Sequence, residues 1–170
     1  MRFIIAFIAI FALATTSRAQ TQPAANPPDS HTEMVHRGDQ MMGFSAAKTT
    51  HHFGLFQDGG AIEVAANDPN DTQSRNQIRM HLSHIASMFS EGNFNAPMFI
   101  HDTTPPGVPT MTKLHADIHY DYEQTPSGAR IRIKTQNPQA LDAVHAFLLF
   151  QIIEHHTGDS PVVAQGPGMD

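Results

Sequence analysis

His81, His84 and Met88 are the residues whose types and spacing point to chemistry. They stand at i, i+3 and i+7 inside Asp71 to Ser90, a stretch with helical periodicity. Residues three and four apart are neighbours on a helix surface. Two imidazoles and a thioether are therefore expected along one flank of that helix. Neutral imidazole ligates copper, zinc, iron and nickel, and a thioether favours Cu(I) or haem iron. With no Cys anywhere in the chain, this donor set points to copper before zinc or haem.

Other donors could close such a site. His51 and His52 are adjacent in a strand-like stretch, where successive side chains face opposite ways, so only one of them can point inward. His36, Met41 and Met42 lie close together near the start, and His101 falls in a later irregular stretch. The ligand set expected from sequence is thus His81, His84 and Met88, completed from His51, His52, His36, Met41 and Met42. His145 sits among apolar residues and reads as a hydrogen-bonded core histidine. Glu154, His155 and His156 end the last helix, where they suit the helix dipole or a surface metal ion. His115 and His119 are spaced as a helical pair, but a strand boundary falls between them.

The elements that must position these groups follow from pattern. Ile78, Leu82, Ile85 and Phe89 form the apolar stripe of the first long helix. Before it come strands at 51–56 and 61–66, joined by the turn signal Gln57 to Gly60. Asp68 or Asp71 can cap the helix, and Gly92 stops it. Strands at 117–123 and 129–135, then Asn137-Pro138 and an apolar helix to about His156, repeat this order. In the second pair Ile131 and Ile133 are expected to face inward, with Arg130, Arg132 and Lys134 outward. Ile62, Val64 and Pro69 match Ile131, Ile133 and Pro138, each 69 positions on. The reading is a tandem β-β-α repeat, with units at about 50–92 and 117–158. It predicts an α+β fold: a four-stranded antiparallel sheet with helices on one face. Between the units, Met98 to His101 reads as a short strand, 103–109 as a proline-stiffened loop and 110–116 as a short helix. Glu33 to Met42 reads as a helix weakened by Gly38. The second long helix is apolar nearly all round, so the first helix and the N-terminal segment, or a second copy in a homodimer, must cover it.

Residues 1–19 read as a signal peptide: Arg2 is the charged start, Phe3 to Ala14 the apolar core, and Ser17 and Ala19 the cleavage signal before Gln20. The apolar run is too short to span a bilayer, so no stable membrane insertion is expected after cleavage. Residues 20–32 read as a flexible linker, 33–159 as one globular domain and 160–170 as a tail. Cleavage leaves 8 basic against 16 acidic residues, which argues against nucleic acid and anionic lipid as partners. An exported chain without Cys fits a periplasmic or secreted protein. Twelve His in 170 residues is far above ordinary usage and fits metal binding or titration near neutral pH.

The strings KTTHHF, DGGAIEV, QIRMHLSHIASMF, PMFIHDTTPPGV and AVHAFLLFQIIEHHTGD, within Met42 to Asp159, resemble a family of small secreted bacterial proteins of unknown function. The resemblance implies export and a single-domain unit, and implies nothing about substrate. No hydrolase, phosphate-loop, zinc-protease or haem-attachment signature is present, so the chain leans away from an enzyme. The function expected is binding of a transition metal for carriage, buffering or stress protection. The competing class is a non-catalytic structural or interaction module in which the His content is incidental.

Overall fold

The computed structural model describes residues 30–164. The expected signal peptide, most of the linker and the end of the tail lie outside the described residues. Among the described residues five α-helices and four strands follow in the order α1 (Ser30–Met42), β1 (Thr49–Phe56), β2 (Gly59–Ala66), α2 (Thr72–Ser90), α3 (Asn95–His101), α4 (Val108–Lys113), β3 (Ile118–Gln124), β4 (Gly128–Thr135) and α5 (Pro138–Glu154). The strands form one antiparallel sheet in the order β1-β2-β4-β3. The fold is therefore mixed α+β, as the periodicities predict.

Strand alternation decides the two faces of the sheet. Phe53 pairs with Ile62, Ile62 with Ile131, and Ile131 with Tyr122, so these side chains line one face. On that face α2 packs over β3 and β4, and α5 over β1 and β2. The helices meet where the rings of Phe89 and Phe147 contact edge to face, 6.0 Å apart. Ile62, Val64, Ile131 and Ile133 are buried beneath them with Ile78, Leu82, Val144 and Leu148. Gly60 allows α5 this close approach: a Cβ there would stand 2.1 Å from Leu148 Cδ1 and 2.5 Å from the Gly54 carbonyl oxygen.

The helix starts follow local capping chemistry. Asp71 caps α2, its carboxylate accepting from the Ser74 backbone N–H at 2.9 Å. Asn137 caps α5 by accepting from Gln139 and Ala140, with Pro138 in the first turn, where a missing N–H costs nothing.

Four local expectations change. Met98 to His101 is the end of helix α3, not a strand: Asn93 accepts from the Asn95 N–H, and Pro97 fits a first turn. A short apolar run has no periodicity of its own to separate the two. Helix α1 begins at Ser30, inside the expected linker. The tail at Ala164 runs alongside β1, donating its N–H to Leu55 O at 2.9 Å. Arg132 lies on the outer face as expected, yet only 4% of it is exposed. It donates to Gly60 O, to Ile133 O and to the Asp58 carboxylate, and its guanidinium lies 4.8 Å from the centre of the Phe56 ring. These partners satisfy the buried charge.

A histidine-lined cavity as candidate functional site

The sheet and helices bring four imidazoles to one place. His51 is on the helix-covered side of β1, two residues before Phe53, and His81 lies on the flank of α2. His101 ends α3, and His155 is the residue that follows the last turn of α5. All four line one cavity of about 70 Å³, with Met42 from the end of α1 at the same wall. The deeper wall is apolar and includes Val64, Leu82 and Phe147.

The rings touch in sequence around this cavity. His51 and His155 are stacked with centroids 5.6 Å apart. His155 and His101 stand at right angles, 5.1 Å apart. Phe44 links His51, at 6.2 Å, to His81, at 5.6 Å. Since His101 and His155 close their helices, the C-terminal ends of α3 and α5 meet here. Each end carries partial negative charge, and both favour a cation.

Burial sets the protonation of the cluster. Desolvation, then the nearness of His52, lowers the His51 pKa to about 4. Desolvation, then His51 and His84, lowers His81 to about 4. His155 falls to about 3, first by desolvation and then by the other imidazoles, His51 foremost. His101 is lowered mainly by burial, while Gln151 and Glu154 oppose the shift. The rings are therefore neutral at pH 7, the form that ligates metal.

One donor is left over. His101 Nε2–H donates to Gln151 Oε1 at 3.0 Å, so Nδ1 carries the lone pair. His101 Nδ1 is buried without a partner, and so is Gln151 Nε2, on a residue only 4% exposed. Both residues line the cavity. Unpaired buried polar atoms are unfavourable unless a ligand or water meets them. In this geometry, however, the rings stack instead of pointing at one centre. Among the described residues no group of three or more His, Asp or Glu side chains is arranged to hold a metal ion.

Of the ligands expected from sequence, His51, His81 and Met42 reach the cavity and the rest do not. His84 is exposed. It lies about 60° further round α2 than His81, away from the core stripe. Met88 is about 10 Å along the helix from His81, beyond the reach of one ion, and it packs against the core. His52 faces the other side of the sheet and bonds Asp159 Oδ1 at 2.9 Å. His36 is exposed with Nε2 3.5 Å from Gln40 Nε2, and Met41 is exposed too. His101 and His155 line the cavity, and His84 and Met88 do not. The sequence placed His155 at a helix end but read His101 in an irregular stretch, and neither reading says that the two meet. His145 is a hydrogen-bonded histidine as expected, donating from Nε2 to Phe56 O at 2.9 Å and Gly59 O at 3.0 Å.

Among the described residues no helix is long and apolar enough to cross a membrane. Comparison of the chain with models of protein families, with curated proteins and with solved structures finds no match.

Proposed function

We propose that this protein binds a transition metal ion at His51, His81, His101 and His155, with Met42 as a further donor. Copper comes first and zinc second, and the role is carriage, buffering or stress protection in the periplasm or outside the cell. The observation that carries the reading is the gathering of four partly buried imidazoles from four separate elements around one cavity, one with an unpartnered nitrogen. Two imidazoles on one tetrahedral ion, at metal–nitrogen distances of about 2.0 Å, have ring centres about 5 Å apart. The 5.1 and 5.6 Å spacings are close to that value. Ligation then requires the rings to turn about their side-chain torsions, with little movement of the backbone. A cavity of about 70 Å³ suits an ion, whereas ligand pockets of about 300 Å³ and more are usual for larger groups, so haem falls behind.

The second reading, a structural or interaction module, is favoured by the absence of converged donors among the described residues. There the cluster is a neutral patch of core and binds nothing. Titration of Cu(I) without oxygen, and of Cu(II) and Zn(II), into wild type and a His101→Gln, His155→Gln variant separates the two. Metal binding predicts one site in wild type that the variant loses. Equal behaviour of the two proteins, or no binding above weak background in wild type, leaves the module.

The tandem β-β-α reading is part of the same proposal. It is supported by the element order and by Phe53↔Ile62 and Tyr122↔Ile131, pairs with equal spacing in the two hairpins.

A further inference from the structure

A second pair of histidines stands outside the first cluster. His31, in the first turn of α1, and His156, just past α5, stack with centroids 4.3 Å apart and planes 10° apart. His31 Nδ1–H donates to Glu154 O at 3.1 Å, which leaves its Nε2 with a free lone pair. The pair lines a groove of about 460 Å³ between α1 and the end of α5. That groove and the inner cavity share Met42, His51 and His155 as lining residues. His156 is in the left-handed region, with φ of 52°. This conformation sends two consecutive side chains to opposite sides of the shared lip: His155 to the inner rings, His156 to His31. A non-glycine residue held there is unusual enough to suggest a use.

We propose that His31 and His156 form an entry station, which takes a metal ion from solvent and passes it across Met42, His51 and His155 to the inner cluster. This rests on the metal reading of the inner site. The step is an exchange of ligands in which no bond other than metal–donor bonds changes. His156 is exposed and exchanges ligands with water readily, while the four inner rings are each partly buried. The groove lining includes no Lys or Arg to repel a cation. The pair therefore sets the rate of loading, and the inner cluster sets the affinity.

The test is stopped-flow loading of Cu(I), delivered from its bicinchoninate complex, into the full chain and a His31→Asn, His156→Asn variant. Asn tolerates the left-handed conformation at 156, and both positions lie at the surface, so the fold is kept; circular dichroism checks it. The expected result is loading slowed about tenfold or more, with the equilibrium affinity within about twofold of wild type. Loading at the wild-type rate overturns the entry station and leaves the inner site standing. Loss of affinity in step with rate also overturns it, because the pair is then part of the site itself. No copper uptake by wild type overturns the inner site and the station together.

Discussion

Lowering the pH should destabilise the protein in a window that carboxylates do not occupy. In the unfolded chain His51, His81 and His155 take up protons near the reference pKa of about 6.5. In the folded protein their values are lowered to about 4, 4 and 3, by desolvation first. A basic group with a depressed folded pKa contributes stability that is present above the unfolded value. That stability is lost as pH falls from about 6.5 toward the folded values, because the unfolded state binds more protons. At about pH 5 each group accounts for a loss of about 2 kcal/mol, and the three together for about 6 kcal/mol. That is comparable with the whole stability of a typical domain, about 5–15 kcal/mol. Asp159 adds a loss only at lower pH, since its depressed carboxyl protonates below the usual carboxylate range; the Phe53 N–H and His52 bonds oppose its desolvation. The assay is urea unfolding at steps between about pH 7.5 and 5, with the midpoint read against pH. A His155→Phe variant, which keeps an aromatic ring against Phe53, should remove about a third of the pH dependence by the same reasoning. Stability constant within about 1 kcal/mol over this range would refute the depressed values.

Three other outcomes are expected. Ile131 is fully buried at the centre of the sheet, so Ile131→Ala should lower stability by about 2–5 kcal/mol in chemical denaturation; a change near zero would contradict the packing. Gly60→Ala drives a methyl into Leu148 and the Gly54 carbonyl, with an expected loss of about 1–3 kcal/mol. Pairing it with Leu148→Val should not restore it fully, since the Gly54 backbone cannot retreat in the same way; full rescue would place the whole strain on Leu148. Export of the chain should leave Gln20 as the first residue, and N-terminal sequencing that reads Met1 on exported protein would reject the signal peptide.

The sequence by itself determined what depends on neighbours along the chain. Alternation put Phe53, Ile62 and Ile131 on one face and allowed only one of His51 and His52 to look inward. Helical period placed Ile78, Leu82 and Phe89 in the core, and short-range rules started the helices at Asp68 or Asp71 and at Asn137, of which the structure uses Asp71 and Asn137. The same helical period also holds the reason that Met88 cannot share an ion with His81, and turns His84 further from the core stripe. Only the tertiary structure decided the membership of the cluster. His101 reaches it because 95–101 is a helix whose last turn ends beside α5, and His155 because α5 ends beside β1. The meeting of those ends depends on how α5 settles over Gly60 and on the length and path of the loops. Such long-range placement leaves no periodic trace, since residues far apart in sequence meet through packing and not through the repeat of a helix or strand.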